Sequence, residues 1–165
     1  MVVYHGTYME IKNPDPLHGR YNLDFGKGFY VTTLQEQAEK CAIRRAKSED
    51  GIPVVYLYDF DDSKLRVLRF DGYTEEWLDF VVECRSGTMK THEYDAIFGN
   101  IADDFVAATV DEYIRLLKKN RVNDDVKRAT LYQLTFSIPN DQYCIVTQKG
   151  IESLKFIKIY SPRKG

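Results

Sequence analysis

The sequence predicts one α+β domain over residues 1–165, built on a mostly antiparallel, split β-sheet with flanking helices. A chain of 165 residues has the usual length of a single domain. Its hydrophobic share of 44% and its charged share of 29% are typical of a folded globular protein. The strands and helices predicted below follow one another irregularly, without the βαβ alternation that indicates a parallel sheet.

Short runs rich in Val, Ile, Tyr and Phe predict the strands. In chain order they are residues 2–7, 29–33, 53–60, 65–70, 94–101, 142–147 and 156–161. The long loop NPDPLHGRYNLDFGKG separates the first two runs. Because loops longer than about 12 residues in compact domains are often functional, we expect this loop to serve the function.

Apolar residues at steps of three and four predict the helices, at residues 34–51, 74–85, 103–120, 124–136 and 148–156. The first helix is expected to start in the region of Thr32 and Thr33 and to end at Gly51. The apolar residues that give this spacing are Leu34, Ala38, Cys41, Ala42, Ile43, Trp77, Phe80, Val81, Cys84, Phe105, Val106, Tyr113, Ile114, Leu117, Val126, Leu131 and Leu134. Of these, Cys41, Val126, Leu131 and Leu134 are expected to face inward.

The composition argues against several classes of function. A net charge of −2 removes the whole-surface attraction that nucleic-acid-binding proteins use. Cys41, Cys84 and Cys144 are odd in number and far apart, which indicates neither a disulfide framework nor a structural metal site. No apolar run reaches the roughly 18 residues of a membrane helix, and the N-terminus lacks a secretory signal pattern. We therefore expect no membrane contact and a cytoplasmic location.

Three blocks contain the candidate functional residues: YHGT with His5, DFGKGFYVTT with Tyr30, and NDQYCIVT with Gln142. Taken alone, a His at the end of a strand is usually structural, and a Gly-Lys-Gly turn is usually a hairpin bend. The 12 Tyr, 9 Phe and 1 Trp indicate either a β-rich core or a ligand slot lined by rings. The occurrence of all three blocks in one chain is the more specific signal.

Together, the three blocks resemble the signature regions of the diphtheria-toxin-like branch of the ADP-ribosyltransferases, to which the poly(ADP-ribose) polymerases belong. In that branch a first strand ends in His-Gly-Ser or His-Gly-Thr, a second strand carries Gly-x-Gly-x-Tyr before a helix, and a late strand holds a catalytic Glu. The chain is also similar to a bacterial family of such domains, often encoded beside small antidote-like proteins, in which LDFGKGFY and a GNIADD-type run recur.

The resemblance implies an ADP-ribosyltransferase-like fold with NAD as the substrate and no metal. It implies that His5 binds the nicotinamide-side ribose hydroxyl, that the Gly6 backbone holds the nicotinamide amide, and that Tyr30 lines the ribose site. Thr7 and Gly28 belong to the same motifs and are expected at the NAD site. A Gly after the His also lets the main chain approach a flat, amide-bearing ring closely.

The resemblance fails at one position, because the alignment places Gln142 where the family has its catalytic Glu. Cleavage of the nicotinamide bond passes through an oxocarbenium-like state that a fixed carboxylate stabilises. Gln can make the same hydrogen bond but brings no charge, and losing such a group typically costs about 10² to 10⁴ in rate. In relatives that lack the Glu, chain elongation is lost and single ADP-ribose transfer can remain, so the resemblance implies single transfer here, or NAD binding without catalysis.

Other charged residues are weaker candidates. Glu83 and the neighbouring Asp103 and Asp104 could replace the missing carboxylate, but ion pairing and helix capping are the commoner roles of such residues. Arg20 in the long loop is a candidate for binding the pyrophosphate, since a planar guanidinium suits it. Lys27 and His18 are weaker candidates for the same task.

The predicted function is that of a toxin-like, NAD-dependent mono-ADP-ribosyltransferase that releases nicotinamide and modifies a protein or nucleic acid acceptor. Basic runs at residues 118–121, 126–128 and 161–165 could contact an acidic acceptor, although most such runs are solvated surface. The alternatives are an NAD glycohydrolase, with water as the acceptor, and a catalytically silent protein that binds NAD or ADP-ribose and acts through a partner. A small antitoxin protein is a further expected partner.

Overall fold

The computed structural model describes residues 1–17, 19–89, 92–135 and 140–162, and within them the chain is an α+β protein, as predicted. The strands are β1 (Val2–Thr7), β2 (Phe29–Val31), β3 (Val54–Phe60), β4 (Val67–Arg69), β5 (Ala96–Gly99), β6 (Gln142–Ile145) and β7 (Leu154–Tyr160). The helices are α1 (Gln35–Ser48), α2 (Glu75–Ser86), α3 (Asp104–Lys118), α4 (Asp124–Leu134) and α5 (Gln148–Glu152).

The strands divide between two sheets. The three-stranded sheet has the order β1-β3-β7 and is antiparallel throughout. The four-stranded sheet has the order β2-β6-β5-β4 and is antiparallel except for the parallel pair β4 and β5. Among the described residues, one isolated bridge joins the sheets, where Tyr4 and Thr32 exchange backbone hydrogen bonds of 2.8 and 2.9 Å. Beyond this bridge β1 and β2 separate.

The two sheets pack face to face, and helices cover their outer faces. Val3 and Phe60 of the three-stranded sheet are packed with Ile145 of the four-stranded sheet in a buried layer between them. On the outer face of the four-stranded sheet, Cys144 is clustered with buried residues of α2, α3 and α4. The apolar faces of those helices thus bury one side of β6 while the other sheet buries its opposite side.

Helix α1 covers the outer face of the three-stranded sheet at close range. Its buried residues are all alanines, Ala38, Ala42 and Ala46, which permit a short separation between helix and strand. A Cβ atom on Gly6 would lie only 2.0 Å from the carbonyl oxygen of Ala38. The packing of α1 against β1 therefore requires a glycine at position 6, independently of any other role of Gly6.

Three of the apolar residues that indicated helices are exposed. Leu34, Phe105 and Leu117 are 39%, 52% and 38% exposed. Leu34 is the N-cap residue and precedes the first helical turn of α1. In α3 the buried positions are Val106, Val110 and Tyr113, and one residue of offset turns Phe105 about 100° away from that face.

The remaining sequence expectations concern caps, cysteines and membrane contact. The side chain of Asp103 accepts a hydrogen bond of 2.9 Å from the backbone nitrogen of Val106, so this residue caps α3. Cys41, Cys84 and Cys144 are free thiols, and the described residues contain no cluster of His, Cys, Asp and Glu suited to a metal ion. In the part of the chain that the structure describes, no helix has the length and apolar character needed to cross a bilayer.

Candidate active site

The first feature of the site is the open edge of β1, where the two sheets separate. The backbone N–H and C=O of Tyr4 bond to Thr32 of the other sheet and so point away from β3. In an antiparallel ladder these groups alternate in direction from residue to residue, so those of Gly6 point the same way as those of Tyr4. Gly6 is buried, and among the described residues no β-bridge joins it to β2.

His5 fills the start of the gap between β1 and β2. Its Nδ1 lies 2.6 Å from the backbone carbonyl oxygen of Tyr30, and its ring stacks on Phe29 with 4.5 Å between centroids. Because a carbonyl oxygen can only accept, Nδ1 carries the proton and Nε2 is left as an acceptor. No described residue hydrogen-bonds to Nε2.

The imidazole of His5 is neutral at pH 7. Burial is the main cause, and together with the positive charge of Arg45 it lowers the pKa of His5 to about 4, although the hydrogen bond to Tyr30 opposes the shift. A neutral ring with a protonated Nδ1 offers one acceptor nitrogen, which suits a hydroxyl donor.

The hydroxyl of Tyr30 closes the Gly-Lys-Gly turn. It donates to the carbonyl oxygen of Gly26 at 2.6 Å and accepts from the backbone nitrogen of Phe25 at 3.1 Å. Burial, with the nearby Cys144, raises the pKa of Tyr30 well above its usual value, so the hydroxyl keeps its proton. A ligand at Tyr30 would therefore contact its aromatic ring rather than its hydroxyl.

Gln142 lies on the same face of the four-stranded sheet as Tyr30. Tyr30 pairs with Cys144 across β2 and β6, and side chains two residues apart on a strand share a face. The Gln142 side chain is buried, and its Nε2 donates to Oδ2 of Asp24 at 3.2 Å. Its Oε1 has no hydrogen-bond partner among the described residues and remains an acceptor.

Asp24 is the centre of a buried network that the sequence analysis missed. Its Oδ1 accepts from Nε and Nη2 of Arg85 at 3.0 and 2.6 Å, and its Oδ2 accepts from the backbone nitrogen of Ala102 at 2.9 Å as well as from Gln142. Arg85 also donates to Asp111 at 3.0 Å. The side chains of Arg85 and Asp24 are only 15% and 11% exposed, so the pair is held in a low dielectric.

The structure thus brings His5 against the backbone of Tyr30 but does not bring the three predicted side chains onto one surface. His5 contacts the backbone of Tyr30 directly. Its ring faces the layer between the sheets, where it stacks on Phe29, whereas Tyr30 and Gln142 face the helices on the other side of the four-stranded sheet. A ligand that touched all three would have to lie across the gap between β1 and β2.

The other candidates of the motifs have packing roles. A Cβ atom on Gly28 would lie 2.4 Å from the sulfur of Cys144, so this glycine lets the turn lie against β6. Thr7 is 3% exposed, and its Oγ1 accepts from the backbone nitrogen of Met9 at 3.2 Å. A Cβ atom on Gly19 would meet the carbonyl oxygen of Gly28 at 2.6 Å, which shows that the long loop crosses over the turn.

The basic residues of the long loop lie further out. Arg20 is exposed, and no hydrogen bond or ion pair joins it to a described residue. Lys27 donates to the hydroxyl of Tyr21 at 3.3 Å and lies over the same ring at 4.5 Å. His18 lies outside the described residues. The structure therefore leaves the Arg20 guanidinium available to a ligand and engages the Lys27 ammonium with Tyr21.

Two surface cavities lie near these elements. The larger, of about 450 Å³, is lined by Asn22, Arg85, Asp111, Ile114, Arg115 and Lys118, on the far side of Arg85 from Asp24. The smaller, of about 330 Å³, is lined by residues of the long loop, α5 and β7 together with Tyr58. Neither is lined by His5, Tyr30 or Gln142.

Fold and site together define an α+β protein of two facing sheets, with an open edge of β1 on one side of β2 and a buried charge network on the other side of the four-stranded sheet. The chain belongs to the family described as "Protein of unknown function (DUF3990)", which matches residues 1–156. That match includes every candidate site residue named above. Comparison with curated proteins and with solved structures found no match.

Proposed function

We propose that this protein is a cytoplasmic, NAD-dependent mono-ADP-ribosyltransferase with an ADP-ribosyltransferase-like fold, and that the open edge of β1 is its nicotinamide site. The observation that carries the proposal is the edge of β1 at the buried residue Gly6, which no β-bridge joins to β2 among the described residues. Buried backbone groups are almost always paired, so an open strand edge is suited to a partner. The carboxamide of nicotinamide has both a donor and an acceptor and can bond to a backbone N–H and C=O at once.

His5 supports the same substrate. It adjoins Gly6 in the chain, and its free Nε2 is an acceptor beside the amide site. The ribose of NAD is joined directly to the nicotinamide ring, so a ribose hydroxyl would lie within reach of His5 when the amide lies on Gly6. The resemblance to the ADP-ribosyltransferases implies the same two contacts for these positions.

In the proposed reaction the bond between ribose C1′ and the nicotinamide nitrogen breaks, and its electron pair returns to the ring, which leaves as neutral nicotinamide. A nucleophile of a protein or nucleic acid acceptor forms the new bond to C1′ and loses its proton to solvent. Oε1 of Gln142 would accept a hydrogen bond from the ribose as positive charge develops at C1′.

The uncharged carboxamide of Gln142 favours a second candidate, a protein that binds NAD without turning it over and acts through a partner, such as a small antitoxin. Without a carboxylate at that position, stabilisation of the charge at C1′ has to come from elsewhere. Binding and turnover must therefore be measured separately.

The decisive experiment incubates the purified protein with NAD labelled in its adenylate, together with a cell lysate that is afterwards split into protein and nucleic acid fractions. We expect nicotinamide release, followed by chromatography, and label in one of the fractions. His5→Ala should lower the release about 100-fold, in the range typical for a group that contacts the reacting sugar. His92→Ala is the matched control, because this second half-buried histidine contacts Phe80 and Tyr94, away from the strand edge.

The outcomes separate the candidate functions. Release of nicotinamide without labelled macromolecule would identify a glycohydrolase. A rise in unfolding temperature with NAD but no release would identify a binding protein. Calorimetry that detects no heat when NAD is titrated into the protein would overturn the proposal.

A further inference from the structure

We propose that Asp24 is a positioning residue that supplies, through Gln142, the negative charge that a glutamate at position 142 would bring. The inference rests on the proposed function. Asp24 lies in the second sequence block and Gln142 in the third, and their side chains meet at 3.2 Å although they are 118 positions apart.

The hydrogen bond between them fixes the direction of the carboxamide. A carboxylate can only accept, so the amide nitrogen of Gln142 must face Asp24 and its Oε1 must face away. Two bonds from Arg85 and one from the backbone nitrogen of Ala102 hold the carboxylate in place. Oε1 is therefore presented in one orientation, which is the condition for stabilising a charge without reorganisation.

The network also makes Oε1 more negative. Hydrogen bonding of Nε2 to a carboxylate polarises the amide and raises the negative charge on its oxygen. Arg85 lies between two carboxylates, Asp24 and Asp111, so this cluster of three carries one net negative charge. The carboxylate in contact with Gln142 is buried, and its field is therefore screened less than that of a surface charge.

The arrangement predicts how substitutions at the two positions interact. Gln142→Glu alone would bring a second carboxylate against Asp24, where a donor now stands, and two adjacent carboxylates repel each other. Asp24→Asn combined with Gln142→Glu moves the charge to position 142 and restores a donor facing an acceptor. The double variant should therefore have a higher kcat for nicotinamide release than Gln142→Glu alone.

The test measures kcat and KM for nicotinamide release by the full chain. Asp24→Asn should lower kcat about tenfold to a hundredfold, less than removal of a direct contact, and change KM less than about threefold. Gln142→Glu should also lower kcat, and the double variant should regain at least about tenfold over it. Asp62→Asn is the matched control, because Asp62 is 15% exposed and paired with Arg69, on the opposite face of β6 from Gln142. It should leave kcat within about twofold.

Thermal unfolding of each variant separates positioning from folding. Gln142→Glu leaves the pair of Arg85 and Asp24 in place, so its kinetics remain informative even where Asp24→Asn does not fold. A rise in kcat with Gln142→Glu, or an unchanged kcat with a folded Asp24→Asn, overturns the role of Asp24 while leaving the proposed function intact. A wild-type protein that releases no nicotinamide overturns the proposed function and the role of Asp24 with it.

Discussion

The edge of β1 and the Asp24 network lie on opposite sides of the β2–β6 strand pair. They differ in how far their polar groups are hydrogen-bonded within the protein. At the edge, no β-bridge joins the buried residue Gly6 to β2 among the described residues, and His5 keeps a free acceptor nitrogen. In the network, Asp24 accepts four hydrogen bonds and Arg85 spans two carboxylates. The comparison supports the proposal that the first region binds a ligand, whereas the hydrogen bonds of the second region hold its own geometry.

If the network provides rigidity, breaking it should give the largest loss of stability. Arg85→Met leaves the Asp24 carboxylate buried without its cation, and removal of one partner of a buried ion pair costs about 3–5 kcal/mol. Arg115→Met is the control, since the pair of Arg115 with Glu112 is 54% and 51% exposed, and exposed pairs contribute less than about 1 kcal/mol. Urea unfolding at pH 7 measures both free energies. Equal losses of unfolding free energy for the two variants would show that the Asp24 network stabilises the fold no more than an exposed ion pair does.

The strand edge should respond to acid, because His5 is neutral in the folded chain. Its pKa is about 4 when folded and near the ordinary 6.5 when unfolded, so the unfolded chain binds more protons between these values and stability falls as pH falls. The contribution of the neutral His5 ring to the free energy of unfolding is complete above pH 6.5 and fully lost below pH 4. At pH 5 the loss is about 2 kcal/mol relative to pH 7.5.

His5→Gln isolates that contribution, because all other titrating groups are shared with the wild type. We expect the difference in urea-unfolding free energy between pH 7.5 and pH 5 to be about 2 kcal/mol smaller in the variant. The same pH dependence in both proteins would mean that the ring of His5 is solvated, and the strand edge would then be open to water rather than shaped for a ligand.

Much of the fold could be predicted from local patterns. All seven strands and five helices of the described residues overlap the ranges that alternation, helical spacing and turn residues predicted, but residues 154 and 155, predicted to be helical, belong to β7. Which apolar residues of a helix face the core was less certain, as at Phe105, where adjacent apolar residues left the inward face of α3 ambiguous. Which strands share a sheet could not be predicted, since β1 pairs with β3 and β7, and such choices depend on packing between distant segments.

The candidate site divides in the same way. His5, Tyr30 and Gln142 stand out because short motifs surround them, and a strand-end His followed by Gly is visible in the sequence. Asp24 has no such signal. Its roles come from Arg85, 61 positions away, and from Gln142, 118 positions away, and a single sequence carries no information on which distant side chains meet.

The smallest expected effect concerns Arg20, which belongs to neither region and lies exposed in the loop that crosses the turn before Tyr30. Because no described residue bonds to it, Arg20→Ala should change the free energy of unfolding by less than about 0.5 kcal/mol. If its guanidinium binds the pyrophosphate of NAD, the same change should raise the Kd for NAD about tenfold, and Arg20→Lys should recover only part of this, since an ammonium lacks the planar fork.

Arg128→Ala, at an exposed ion pair in α4, is the control. Calorimetric titration at two salt concentrations measures the Kd values, and the effect of Arg20→Ala should shrink at high salt. Identical Kd values for Arg20→Ala and wild type at low salt would remove Arg20 from the site and leave NAD recognition to the strand edge.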